Sequence, residues 1–276
     1  MVLKFLLAIL LISTFLYADK MDEQVLEFEK KRFSQNPRVE IQDLSIFMKK
    51  DLSMDNWYGF IVDIKVKMGE KNVNAKDIVF SNGTLVSSEL FDLKTGKSLK
   101  DLMTPNLTKD YYNEDKLIAG THNAKDKIVI FSDPLCPFCM DFVPDVIKHV
   151  KKYDNKIALY YYHFPLLSIH PAAAPLVKLM IKAKEDGIKN IEEKVYSIFW
   201  DEQFSSKEQD TNIIINAFNK TFKTSYSDND INTKKINEEI YEDISMGENV
   251  LVQGTPTIFI NGEQDNSKLK YENLGK

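Results

Sequence analysis

The stretch Lys127-Ile128-Val129-Ile130-Phe131-Ser132-Asp133-Pro134-Leu135-Cys136-Pro137-Phe138-Cys139 decides how the rest of this chain is read. Its opening apolar run lacks the polar alternation of a half-exposed strand, the pattern of a strand covered on both faces. The apolar residues that follow, Phe142, Val143, Val146, Ile147 and Val150, recur at helical spacing. Between strand and helix stand the only two cysteines of the 276-residue chain. Without a third or fourth thiol there is no Cys₄ metal site, no iron–sulfur cluster and no disulfide framework. What remains is a vicinal dithiol that can close on itself and reopen.

The spacing predicts its chemistry. Two cysteines three apart at a helix start lie on one face. Cys136 is expected at or near the N-cap, with Pro137 at the first helical position, where its missing N–H costs nothing. The free N–H groups and the positive end of the helix dipole then favour the Cys136 thiolate. Cys136 becomes a nucleophile and a leaving group, and Cys139, one turn further in, resolves the mixed disulfide. Two other readings compete: half of a zinc knuckle and a purely structural disulfide. Zinc would need two ligands from His122, His149, His163 and His170. No H-x₃₋₅-H pair exists, since His163 and His170 are seven apart.

Composition bounds the rest. The chain is 43% apolar with a net charge of −5, and only Arg32 and Arg38 are arginines. A nucleic-acid reader needs a basic face, commonly with arginine forks, so nucleic acid is excluded as a partner. Phe5 to Tyr17 is uncharged but too short for the roughly 20 residues of a membrane-spanning helix. Ala18 precedes Asp19-Lys20, which predicts a signal peptide over residues 1–18 and export to the periplasm, although Leu16 is large for a cleavage site. The alternative is an uncleaved anchor. Outside the cytosol disulfides persist.

Residues 19–100 read as a small α+β domain. A helix is expected over Asp22–Phe33, followed by β-formers from Val39 to Phe47. Phe60, Val62, Ile64, Val66 and Met68 alternate with charged residues on a half-buried strand. Asn82-Gly83 marks a hairpin between Ile78-Val79-Phe80 and Thr84-Leu85-Val86. Residues 101–122 read as a partly helical linker and 123–276 as the catalytic domain. There a buried strand at Ile157–Tyr162 completes a βαβ unit. Helices follow over Ala172–Lys184, Ile188–Trp200, Thr211–Phe222 and Ile231–Met246. A final strand, Thr257–Ile260, turns at Asn261-Gly262.

A buried strand, a C-P-x-C at a helix start, and Gly254-Thr255-Pro256-Thr257 before an apolar hairpin together resemble the thioredoxin-fold disulfide oxidoreductases. The resemblance implies an α/β, thioredoxin-like fold with a helical insertion at about 164–250, preceded by a cystatin-like α+β dimerisation domain. It implies a cis Pro256 facing the dithiol, with Thr255 docking substrate backbone, and it matches Pro144 to the helix-kinking proline. The exported context, the small first domain, and the runs 78–99 and 128–139 are similar to the periplasmic isomerases DsbC and DsbG. The long insertion is nearer to DsbA. Pro-Phe between the cysteines departs from both, and DsbC's additional structural disulfide is absent.

The resemblance therefore implies a periplasmic thiol:disulfide isomerase or reductase acting on unfolded or misoxidised exported proteins. A disulfide-donating oxidase of DsbA type is the alternative, and a periplasmic chaperone the alternative of another class. It implies a homodimer and a membrane redox partner, either a DsbD-like reductant or a DsbB-like oxidant. No cofactor is needed beyond the Cys136–Cys139 disulfide, and no metal is expected. Phe138 brings no ionisable group, and Asp133, Asp141 and Asp145 would oppose the thiolate. Cys136 is thus expected to be less acidic than in DsbA, with a potential below roughly −120 mV and nearer about −180 mV. Asp133 is expected as a turn residue accepting backbone N–H groups, with proton acceptance from Cys139 the less favoured role. His163 is expected at a strand end, and His170 as the lead-in to a helix. Phe138, Phe142 and Phe164 line an apolar groove or belong to the core.

Overall fold

The computed structural model describes residues 20–276. The expected signal peptide lies outside the described residues. The chain divides into two compact units at Thr104/Pro105. Among the described residues no helix is long and apolar enough to cross a membrane.

In the first unit a helix, α1, runs through residues 20–34. It covers an antiparallel sheet of β1 (Val39–Met54), β2 (Trp57–Met68), β3 (Lys71–Ser81) and β4 (Val86–Ser87), in that spatial order. The alternation of β2 places Phe60, Val62, Ile64 and Val66 beneath Met21 and Val25 of α1. Met68, expected on the same face, ends the strand exposed. The irregular pattern of β1 has a physical cause. Its pairing with β2 shifts register at Ile41/Asp43, Ile46/Met48 and Asp51/Met54, and each shift re-aims the side chains that follow. Gly83 takes φ 84° in the β3–β4 turn, a conformation that favours glycine. Arg32 joins Glu29 of α1 to Asp77 of β3.

The second unit is built on a five-stranded sheet. Its strands are β5 (Leu117–Gly120), β6 (Asp126–Ser132), β7 (Ile157–His163), β8 (Thr257–Ile260) and β9 (Glu263–Gln264), in the order β5-β7-β6-β8-β9. β6 and β7 are parallel, joined by α2 (Pro137–Lys152), and the other pairings are antiparallel. The unpatterned run in β6 is explained by cover on both faces. Ile128 and Ile130 join Val143, Val146 and Ile147 of α2, while Val129 and Phe131 pack against Tyr160, Tyr162 and Phe259. β7 splits in the same way, with Ile157, Leu159 and Tyr161 on the α2 side.

Residues 105–122, expected as a linker, belong instead to this unit. Their few apolar side chains are enough to dock them. Tyr111 is buried on Phe131 and Tyr162 and donates to the Met246 carbonyl, Leu107 N–H donates to Gly262 O, and Leu117–Gly120 forms β5 at the sheet edge. Four more helices carry the insertion: α3 (Ala173–Glu185), α4 (Ile191–Tyr196), α5 (Thr211–Phe222) and α6 (Asp228–Ile231). A fifth, α7 (Lys234–Asn249), returns the chain to the sheet. The helix expected over Ile188–Trp200 is shortened at both ends, because Gly187 and Asn190 take positive φ and the chain leaves the helix at Ser197. The one expected from Ile231 starts at Lys234, where Thr233 accepts from the Ile236 N–H as N-cap. Trp200, Phe204 and Phe218 centre a separate helical core, which reaches the dithiol loop through Leu135.

Candidate active site

The dithiol sits where β6 hands the chain to α2. Cys136 is the N-cap of α2 with extended backbone, and Pro137 opens the helix. Cys136 O accepts from the Cys139 N–H at 2.9 Å and the Met140 N–H at 3.0 Å, closing the first turn around both cysteines. Both thiols are free; Cys136 retains 4% exposure and Cys139 none. Pro144 lies inside α2. Phe138, by contrast, projects outward and is 74% exposed, whereas Phe142 and Phe164 pack against the two sheet-face cores.

From the far end of the chain the Thr255–Pro256 peptide arrives in the cis form. The Cys136 thiol donates to Thr255 O at 3.4 Å, so the distant proline loop lies against the reactive sulfur. The Thr255 hydroxyl is buried without a partner in the thiol form and is available to a thiolate. The Cys136 thiol is pulled down to about 5. The largest cause is the Cys139 S–H donating to its sulfur. Burial opposes this, and the Thr255 hydroxyl and the N–H groups of Cys139 and Phe138 add to the lowering. Asp133, Asp141 and Asp145 are not among the causes of that shift. Cys139 moves the other way. Burial pushes it up and donation to Cys136 adds to this, against the Ser132 hydroxyl and the Asp133 N–H.

Asp133 accepts the Leu135 N–H at 2.8 Å and the Leu166 N–H at 2.8 Å, and its Oδ2 lies 2.9 Å from His170 Nδ1. It is fully buried, and it ties the dithiol loop to residues 164–170. Sequence reasoning had the turn role but missed this partner. His170 was assigned only to a helix start, and nothing in its spacing points to Asp133. His163 ends β7, its N–H held by Asp243. Sequence reasoning also passed over Ser132, Tyr161 and Tyr196. Ser132 Oγ is 2.6 Å from Tyr196 OH, which is 2.9 Å from Tyr161 OH, all buried. Only the position of Ser132, four residues before Cys136, carried a signal. Among the described residues no group of three or more His, Cys, Asp or Glu side chains is placed to hold a metal ion.

A family model described as thioredoxin matches residues 112–276. This chain belongs to the thioredoxin family. The match falls within the second unit, whose thioredoxin-like α/β fold and paired thiols make the protein a thiol:disulfide oxidoreductase. It is similar to the probable disulfide bond formation protein D of Bacillus anthracis, 25% identical over 160 residues, 53% of this chain and 70% of the relative. The protein of that name from Bacillus cereus is 24% identical over the same shares. Among solved structures it resembles oxidised BdbD from Bacillus subtilis at 14% identity and TM-score 0.48, covering 61% of this chain and 91% of that one. DsbA2 of Pseudomonas aeruginosa aligns at 21% identity and TM-score 0.40, covering 56% and 90%.

Proposed function

We propose that this thioredoxin-family oxidoreductase acts outside the cytosol as a disulfide donor to exported, unfolded proteins. One observation carries the direction: Cys136 caps α2 against the Thr255 segment, where the Cys139 S–H, the Thr255 hydroxyl and the first-turn N–H groups pull it down to about 5. A stabilised thiolate is a stabilised reduced state, and a pair with a stable reduced state is a stronger oxidant. At pH 7 the thiolate lies about two pH units above its midpoint. That is on the order of 3 kcal/mol in favour of the reduced form, or roughly 60 mV toward oxidation, relative to an ordinary cysteine. The corresponding thiol lies near about 3.5 in DsbA and about 7 in thioredoxin, so Cys136 is intermediate, with a potential between about −120 and −270 mV.

In that reading a substrate thiolate attacks Cys136 Sγ and Cys139 leaves. A second substrate thiolate then attacks the substrate sulfur of the mixed disulfide and frees Cys136. Thr255 and Pro256 dock the substrate backbone beside the sulfur. Exposed Phe138, together with Leu167 and Ile169 on the loop tied to Asp133, offers apolar surface to unfolded chains. A membrane redox partner of the oxidising kind would restore the disulfide.

Isomerase activity is the second reading, and the first unit favours it. Its sixteen-residue β1 is an edge strand, a surface suited to pairing with a second copy. A homodimer built this way would hold two dithiols on one substrate. The experiment is oxidation of a reduced substrate run beside refolding of a scrambled one, with oligomer mass from light scattering. Net oxidation by a monomer is expected for the donor. Efficient unscrambling by a dimer with little net oxidation overturns it. A Cys136→Ala, Cys139→Ala protein that still promotes refolding in full would point to a chaperone instead.

A further inference from the structure

Resting on the exchange reading, we propose that Ser132, Tyr196 and Tyr161 form a hydroxyl chain that stabilises the Cys139 sulfur as a thiolate whenever it attacks or leaves. The need for such a device follows from burial. Cys139 is fully enclosed, with Val143, Val146 and Ile147 in the same core. Burial disfavours its charged form, and no cation is among the groups that act on it. Yet forming or opening the Cys136–Cys139 bond requires Cys139 as a thiolate.

The chemistry balances in both directions. When the protein reduces a substrate, Cys139 gives up its proton and attacks Cys136 Sγ. The Cys136–Cys139 bond forms, the Cys136–substrate bond breaks, and the substrate sulfur departs with the electron pair and is protonated. When it oxidises a substrate, the substrate thiolate attacks Cys136, and Cys139 departs with the electron pair before taking up a proton.

What the fold supplies to Cys139 is the Asp133 N–H and one hydroxyl. Ser132, the last residue of β6, presents its Oγ to the Cys139 sulfur and lowers it. A serine that donates to sulfur has an oxygen left to satisfy, and Tyr196 of α4 is 2.6 Å away to donate to it. Tyr161 of β7, 2.9 Å from Tyr196, completes the series. Pointed one way, three hydroxyl protons run Tyr161 to Tyr196 to Ser132 to sulfur, each bond polarising the next. Both phenols are pushed well above their ordinary range by burial, so they remain protonated donors at any working pH. The other titratable groups whose charge reaches this cluster are Cys136, Asp133 and Glu192. Phenylalanine would fill the volume of either tyrosine, so packing alone does not call for the hydroxyls. The chain also gives the helical insertion a place in the reaction, because Tyr196 comes from it.

The test uses the described chain with 5,5′-dithiobis(2-nitrobenzoate), followed by stopped-flow absorbance. Attack by Cys136 releases one chromophore, and resolution by Cys139 releases the second. In Ser132→Ala the second phase is expected to slow at least tenfold, in Tyr196→Phe several-fold, and in Tyr161→Phe about threefold. The pH midpoint of that phase should rise in the same order while the first phase stays within about twofold. Ser132→Thr should restore the second phase. Tyr161→Phe alters only the far end, so its effect on the second phase keeps the test decisive if Tyr196→Phe fails to fold. Variants whose second phase and pH midpoint match the wild type overturn the hydroxyl chain. A wild type that releases a single equivalent overturns the exchange reading itself.

Discussion

Cys136 and Cys139 stand one helical turn apart, yet the fold treats them by different means. Apart from its partner thiol, Cys136 is served largely by what any helix start and neighbouring loop can give: N–H groups of the first turn and the Thr255 segment. Cys139 lies behind it in an apolar core and meets the Ser132 hydroxyl of β6, which Tyr196 of α4 and then Tyr161 of β7 stand behind. The thiolate of one is stabilised by its own motif together with one distant loop, that of the other chiefly by a hydroxyl whose backing comes from elsewhere in the fold. The difference teaches that a short motif can set the surroundings of a helix-capping thiol, whereas a buried thiol one turn on depends on whatever the rest of the fold packs around it.

The largest effects should come from the sulfurs themselves. Cys136→Ala should abolish exchange in the chromophore assay. Cys139→Ala should keep the attack and accumulate a stable mixed disulfide, visible by mass spectrometry. If Cys139→Ala turns over like the wild type, the division of labour fails.

Next in size is Asp133→Ala. It removes a buried carboxylate that holds Leu135, Leu166 and His170. A loss of about 3 kcal/mol in urea unfolding is expected, since it leaves a histidine and two N–H groups unpaired. A loss under about 1 kcal/mol would mean the loop is held by other contacts.

The two thiols also make opposite contributions to stability against pH. Cys136 is lowered to about 5 in the folded protein and lies near 8.5 unfolded, so it stabilises the reduced form above 5. That contribution grows up to about 8.5, is complete above it, and is lost as pH falls through 5. Cys139 is raised, so above about 8.5 the unfolded chain ionises where the folded one does not. The Tm of reduced minus oxidised protein should therefore climb between pH 5 and 8.5 and turn down beyond. A flat difference would erase the contrast between the sulfurs.

A smaller effect is expected from Thr255→Val, which removes a hydroxyl available to the thiolate. The midpoint for Cys136 alkylation by iodoacetamide should rise by about one pH unit, with Cys139 protected in both proteins. Phe138→Ala should be the mildest, weakening KM for an unfolded substrate by about two- to threefold while small-disulfide kinetics stay unchanged. An equal loss on both substrates would place Phe138 in the chemistry rather than in binding.

Much of the site was legible because its signals are local. The apolar run into Cys136, the proline at the first helical position and the periodic helix behind it determine a buried strand, an N-capped dithiol and a thiolate-favouring helix start. Those features arise from backbone sterics and orphan N–H groups that any chain with these residues would carry. Thr255-Pro256 was legible only through resemblance, since nothing in its own neighbourhood points 119 residues back to Cys136. Residues 105–122 looked like a linker because their apolar residues are sparse, but a single buried tyrosine and a short edge strand were enough to dock them. The partnership of Asp133 with His170, and of Ser132 with Tyr196 and Tyr161, was decided by the tertiary structure alone. Such pairs join residues 35 to 64 apart in the chain only after the elements that carry them pack together, and hydrogen bonds of that kind leave no periodicity in the sequence. Sequence by itself determined that one sulfur caps a helix and the other follows a turn later; the packed fold decided what surrounds the second, because its neighbours come from elements distant in the chain.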